Sequence, residues 1–352
     1  MGLFKDILAD NESLFLNEDA LDPDYTPPII KYRENQQRYV ATCIKPLLIG
    51  RNGKNLFITG KPGIGKTVAV KHILNELNKE TEEIEVLYIN CWKKDTAYKV
   101  ALEICDQLNY KFIQNRRTDE LLKEIAKILN KKAAVIVLDE ADKLAEVSII
   151  YNLLEDIFKK AIILITNEKE WLVELDQRIR SRLMPEMLEF LPYNFEETAG
   201  ILKQRMEFSL VPNSLENEAF ELLTKKTFEA GDIRAGLFLL KESANAAESE
   251  ASKRIRINHA NKAIEKLNEF HIKSSVDLGD DELRILDFIK ENSGKSMGDI
   301  YKEYEKTNQI VYRTFFRKVK HLEKSKRISL KSEGVGRATI VVYGNEKKLS
   351  DF

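Results

Sequence analysis

Between residues 56 and 190 the hydrophobic positions fall into short unbroken runs, separated by longer stretches in which apolar residues recur every three or four positions. The runs are Leu56 to Thr59, Ile84 to Asn90, Ala133 to Leu138, Ala161 to Asn167 and Met187 to Phe190. An apolar run without polar alternation suits a strand covered on both faces. The intervening spacing predicts helices over Val68–Lys79, Thr96–Leu108, Asp119–Leu129, Ile149–Phe158 and through the arginines of Asp176 to Arg182. Strand and helix in regular alternation indicate an α/β domain on a parallel sheet. Before it, Arg33 to Leu48 reads as a helix that Pro46 bends or ends, and residues 1–30 read as an extended acidic arm laid against the domain that follows.

After Pro192-Tyr193 the pattern changes. From Phe195 to Phe270 the spacing is helical throughout, which predicts a small helical domain. A polar linker, Ser274 to Asp280, follows. The last part predicts helices over Asp281–Glu291, Ser296–Thr307 and Val311–Ser325. Two short strand runs close it, Arg327–Leu330 and Ala338–Tyr343, around Gly334-Val335-Gly336. Three helices and a hairpin describe a winged helix; a small α+β dimerisation domain is the alternative. The expected boundaries are 1–30, 31–192, 193–273, 274–280 and 281–352.

Candidate chemistry sits at the ends of the predicted strands. Gly60-Lys61-Pro62-Gly63-Ile64-Gly65-Lys66-Thr67 lies between a strand and a helix, the context a phosphate-binding loop requires. Glycines let the backbone curl around phosphates, Lys66 would reach the β- and γ-phosphates, and the Thr67 hydroxyl would ligate Mg²⁺. Asp139 and Glu140 end the third strand, where α/β sheets place their chemistry. Asp139 would hold the Mg²⁺ shell and Glu140 would polarise an attacking water. Asn167 ends the next strand and would hold that water against the γ-phosphate. Of Arg178, Arg180 and Arg182, an arginine exposed at a subunit boundary would neutralise transition-state charge on a neighbour's nucleotide; Arg182 is the first choice and Arg180 the reserve. Arg234 starts a helix of the small domain and would reach back to the γ-phosphate.

Charge changes the picture only locally. The whole chain balances 56 basic against 57 acidic residues, but residues 310–337 hold nine Lys or Arg against two acids. Arg313, Arg317, Lys318 and Lys320 lie on or near one predicted helix, whose face would enter the major groove of DNA. Tyr312 and Thr314 would add hydrogen bonds, and Arg337 in the wing would reach the minor groove. Lys324, Lys326, Arg327 and Lys331 would touch phosphates. Cys43, Cys91 and Cys105 show neither metal spacing nor a disulfide framework. No apolar run is long enough for a membrane helix.

Taken together these motifs resemble the AAA+ ATPases, and within them the archaeal replication-initiator family related to the eukaryotic origin recognition complex. The resemblance covers residues 25 to 345. Lys66 and Thr67 match that family's Walker A motif, Asp139-Glu140 its Walker B, Asn167 its sensor 1, Arg182 its arginine finger and Arg234 its sensor 2. It further implies that Arg33, within Tyr32-Arg33-Glu34-Asn35-Gln36, belongs to the nucleotide pocket. Asn90-Cys91, with Thr96 and Tyr98, resembles the start of a second DNA-contacting insertion. The resemblance implies ATP or ADP with Mg²⁺, slow hydrolysis, and binding to double-stranded DNA at replication origins. It implies a replicative helicase and other initiator paralogues as partners, no membrane, and a cytoplasmic, nucleoid-associated location. On the residues alone, a signalling or transcription-regulatory ATPase whose winged helix serves protein contacts or other DNA stays open.

Overall fold

The structure, a computed structural model, describes residues 13–275, 280–306, 308, 310–324, 328–332 and 339–343. The chain divides into two compact units between Leu267 and Asn268.

The first unit is built on five parallel strands, β1 (Leu56–Thr59), β2 (Ile84–Asn90), β3 (Ala133–Asp139), β4 (Lys160–Ile165) and β5 (Glu186–Glu189), in the order β2-β3-β4-β1-β5. Helices α1 (Glu34–Leu48) and α2 (Lys66–Glu80) cover one face. Helices α3 (Ala97–Gln107), α4 (Thr118–Leu129) and α5 (Ser148–Asp156) cover the other, joined by α6 (Trp171–Glu174) and α7 (Gln177–Leu183). Alternate strand residues serve opposite faces. Leu56, Ile58, Val135, Val137, Ile163 and Ile165 pack under α1 and α2, whereas Phe57, Ile136, Leu138, Ile162 and Leu164 pack on the other side. Both sets are apolar, which is why the runs show no alternation. Each fully buried aliphatic side chain contributes about 1.5–3 kcal/mol relative to exposure.

Register puts the chemistry on one edge. Asn90 pairs with Asp139, Asp139 with Ile165, and Thr59 with Glu189, so the carboxyl ends of the strands lie level. Two of the differences from the expected boundaries have a local cause. Helix α2 begins at Lys66, because Gly65, at φ +89°, turns the chain into it one residue after the loop. Pro46 does not end α1; it sits in the last turn, where buried Leu47 holds the helix to Leu48.

The rest of the first unit is the helical lid, α8 (Phe195–Ser209), α9 (Asn217–Ala230), α10 (Ile233–Ser249) and the part of α11 (Ile257–Ser275) up to Leu267. The arm docks here, rather than only on the sheet domain that follows it. Leu14 and Leu21 are buried among lid residues, and Glu18–Leu21 forms a short 3-10 helix. The Leu16 N–H donates to Ser209 O at 2.8 Å, and the Val211 N–H to Leu14 O at 2.9 Å. The buried Arg205 guanidinium donates to Ala20 O and Tyr25 O, both at 3.1 Å.

In the second unit α12 (Asp280–Glu291), α13 (Met297–Glu305) and α14 (Tyr312–Lys324) precede an antiparallel pair, β6 (Ile328–Ser332) and β7 (Thr339–Tyr343). Ile285, Ile289, Ile300, Phe315, Val319, Leu322 and Val341 form its core. This is the winged-helix arrangement. Lys326, Arg327, the glycines of the wing and Arg337 lie outside the described residues, as do the side chains of Lys324 and Lys331.

Candidate nucleotide site and nucleic-acid interface

In the first unit one cavity of about 360 Å³ opens at the carboxyl edge of the sheet. The phosphate loop forms its floor, the β2, β3 and β4 ends one wall, the arm and the lid the others. The loop glycines are closely approached. At Gly63 (φ +72°) a Cβ would lie 1.9 Å from Asp232 Oδ1, and at Gly65 it would lie 2.6 Å from the Tyr193 hydroxyl.

The sequence-predicted residues converge. Lys66 Nζ donates to Gly60 O at 2.7 Å, to Lys61 O at 2.8 Å and to Asn167 Oδ1 at 2.8 Å. The Thr67 hydroxyl donates to Asp139 Oδ2 at 2.7 Å. Pro62, Glu140 and Arg234 also line the cavity. Glu140 adopts φ +54°, a strained position for a residue with a side chain, at the turn after β3. Burial first, then the neighbouring Asp139 charge, raise its carboxyl above the usual range. Thr67 and Asp139 offer hard oxygen donors side by side. Among the described residues no cluster of three or more His, Cys, Asp or Glu stands ready for a metal. Such a donor set fits Mg²⁺, which takes one or two protein oxygens and completes its shell from phosphates and water.

Burial pushes the Lys66 ammonium down to about 8, against the upward pull of Asp139. A phosphate seated beside it would restore the charged form. Below pH 8 Lys66 is already protonated; above it, seating a phosphate requires uptake of a proton. Nucleotide affinity is therefore expected to fall about tenfold per pH unit above pH 8. Calorimetry at roughly pH 9 in buffers of different ionisation enthalpy would detect the uptake. Flat affinity from pH 7.5 to roughly 9.5 would rule out Lys66 as the phosphate partner.

Two expectations need correction. Arg33 does not line the cavity. Its guanidinium is buried, donates to Ile64 O at 3.0 Å and Leu191 O at 2.7 Å, and stacks 3.8 Å from the Tyr193 ring centroid. It clamps the phosphate loop to the start of the lid, and the cavity wall is made by its neighbours Ile29, Ile30 and Lys31. Ile64 is likewise buried in the core beneath the loop. Arg182 is exposed, ion-paired at the surface with Glu155 and 5.0 Å over the Tyr151 ring. Arg178 pairs with Asp176. Arg180 is exposed, with no ion pair among the described residues, and is the more available of the three.

Two residues were missed. The Tyr88 hydroxyl donates to Asp139 Oδ2 at 2.6 Å, and burial with the Asp139 charge raises its pKa, so it stays a donor. Its signal was positional: β2 neighbours β3, and Tyr88 lies two residues from the strand's end. Asp232 caps α10 and holds Arg234. Asn90 and Thr96 cap local backbone, through Trp92 N–H and Lys99 N–H, and leave Tyr98 exposed.

In the second unit α14 presents Tyr312, Arg313, Phe316, Arg317 and Lys320 outward, with Phe315 and Val319 inward and Thr314 half-buried. Arg313 and Arg317 pair with no carboxylate among the described residues, and Lys320 reaches Glu323 at 2.9 Å. Tyr312 stacks on Phe316 at 6.2 Å and edge-on against Tyr301 at 4.9 Å. Lys318 departs from the expected face; it is turned toward α12 and paired with Asp281 at 2.6 Å. Phe316, absent from the expected set, belongs to the exposed face.

Known proteins share parts of this chain. The family model described as an AAA domain matches residues 50–171, and the Cdc6 AAA+ ATPase-type lid domain matches residues 199–265. The chain is similar to ORC1-type DNA replication protein 1 of Archaeoglobus fulgidus, 32% identical over 327 residues that span 87% of this chain and 80% of that protein. Its fold is similar to that of the Aeropyrum pernix ORC1 protein in complex with DNA, with a TM-score of 0.74 and 22% identity over 96% and 95% of the two chains. It is also similar to the Aeropyrum pernix ORC2 protein in its ADPNP–ADP complexes, with a TM-score of 0.69 and 20% identity over 94% of each chain.

Proposed function

This chain belongs to the ORC1-type DNA replication proteins and is an AAA+ ATPase, and from that premise we propose that it is an ATP-dependent initiator. It binds duplex DNA at replication origins and supports loading of the replicative helicase, beside other initiator paralogues. The observation that carries the DNA reading is the outward face of α14. It sets two arginines without carboxylate partners among the described residues beside two stacked aromatic rings, on the helix that a winged helix lays in the major groove. Arg313 and Arg317 are four apart and so share that face.

Within the first unit, the loop amides and Lys66 bind the phosphates of ATP. Thr67 and Asp139 would hold Mg²⁺, which would supply neutralisation of phosphate charge. Glu140 takes the proton of the attacking water, and Asn167 orients that water once Lys66 has turned to the phosphates. Arg182, or Arg180 beside it, would serve a neighbouring copy. No helix among the described residues is long and apolar enough to cross a membrane. The proposed working place is the nucleoid of the cytoplasm.

Fluorescence anisotropy with an origin duplex and a scrambled duplex, with ATP and across a salt series, tests the reading. A preference for the origin duplex that survives physiological salt is expected. Arg317→Ala should weaken that binding about tenfold, and the salt slope should fall by about one ion. Equal affinities that collapse together with salt would move the signalling-ATPase reading forward.

A further inference from the structure

We infer that the Asp232 carboxylate is a latch on Arg234 that sets this site's preference for a nucleoside triphosphate over a diphosphate. The inference rests on the nucleotide reading of the cavity. Asp232 Oδ1 accepts from the Arg234 backbone N–H at 2.9 Å and from its Nε at 3.0 Å, and Asp232 Oδ2 accepts from Nη2 at 2.6 Å. The same carboxylate rests on the phosphate loop, so close to Gly63 that even a Cβ there would overlap it. One residue on, the Ile233 N–H donates to Gly63 O at 3.1 Å, which ties the start of α10 to the loop. A negative charge thus stands on the loop that receives phosphates, and Arg234 neutralises it.

Arg234 lines the cavity together with Lys66 and Glu140. A triphosphate offers its guanidinium a second anion, and turning to it leaves Asp232 without its partner. The net gain is the difference between two charge-assisted pairs. A diphosphate lacks the terminal group and leaves the latch closed. Both partners of the Asp232–Arg234 pair keep some solvent exposure, so the pair is weak enough to be exchanged. Gly63 leaves the carboxylate its room: at φ +72° a side chain would be strained, and its Cβ would displace Asp232 Oδ1.

Asp232→Asn removes the charge and keeps both the shape and the capping oxygen that α10 needs. Asp232→Ser is a second uncharged variant with a capping oxygen. Affinities for ADP and for a non-hydrolysable ATP analogue are measured by fluorescence titration for the native protein, both variants, Arg234→Ala, and Arg234→Ala combined with Asp232→Asn. The ratio of the two affinities should rise about tenfold toward the triphosphate in Asp232→Asn and Asp232→Ser. In the Arg234→Ala background Asp232→Asn should leave the ratio unchanged. Equal tightening for both nucleotides, or the same rise without Arg234, would reduce Asp232 to simple repulsion and overturn the latch. An unchanged ratio with both nucleotides bound overturns it too. Failure of the native protein to bind either nucleotide overturns the reading of the cavity, and the latch with it.

Discussion

Lys66→Ala is expected to lower affinity for ATP and ADP by about 100-fold without lowering the melting temperature of the nucleotide-free protein. The two halves of that result have one cause. Burial depresses the Lys66 ammonium to about 8, so the empty site carries a cation that water would have solvated better. Three carbonyl-type oxygens, of Gly60, Lys61 and Asn167, compensate it only in part. Alanine removes the desolvation cost together with these bonds, and the unbound fold gains about what it loses. With phosphate present the balance differs, because a buried cation–phosphate contact is charge-assisted on both sides and is worth on the order of 2–3 kcal/mol. Titration with a fluorescent nucleotide and a thermal melt of the same samples would decide it. An affinity within threefold of the native value would mean that phosphates do not sit at this loop.

Glu140→Gln should slow ATP hydrolysis by about 10²–10³-fold while leaving ATP affinity within a few-fold. The amide keeps the size of the side chain in its left-handed position after β3 but cannot take a proton. The native pH profile gives an independent handle. Glu140 acts as its carboxylate, and burial beside Asp139 raises its pKa. Hydrolysis should therefore be lost as pH falls through a value above that of an ordinary glutamate, and this acid limb should be missing from the residual rate of the variant. Single-turnover rates between pH 4.5 and 8 would measure both. A variant that hydrolyses ATP at the native rate would remove Glu140 from the chemistry.

The residues that could be read in advance are those whose place depends on a strand end. Lys66 and Thr67 follow β1, Asp139 ends β3 and Glu140 follows it, Asn167 follows β4, and a parallel sheet with level carboxyl ends has to bring them together. Arg33 and Lys318 could not be read that way, because each side chain is directed by a partner that only the tertiary fold supplies. Leu191 O lies 158 residues from Arg33, and Asp281 lies 37 residues from Lys318. A cation near a motif reads as facing a phosphate, and a nearer carbonyl or carboxylate directs it elsewhere. Tyr88 was hidden for the opposite reason. Within β2 it reads as an ordinary strand aromatic, and only the pairing of β2 with β3 brings its hydroxyl to Asp139.

The docking of the arm on the lid has a consequence for how the protein is made. Ser13 and Leu14 bind Glu248, more than 230 residues later in the chain. At roughly 5–20 residues per second, a ribosome needs on the order of 10–50 s to travel between them. For that interval Leu14 and Leu21 have no lid to bury them, while the sheet between is already complete enough to fold. The segment made early is thus among the last to find its place. Because the arm also walls the cavity, the site closes only when synthesis has passed the lid, and a nucleotide in the nascent chain stays free to exchange until then.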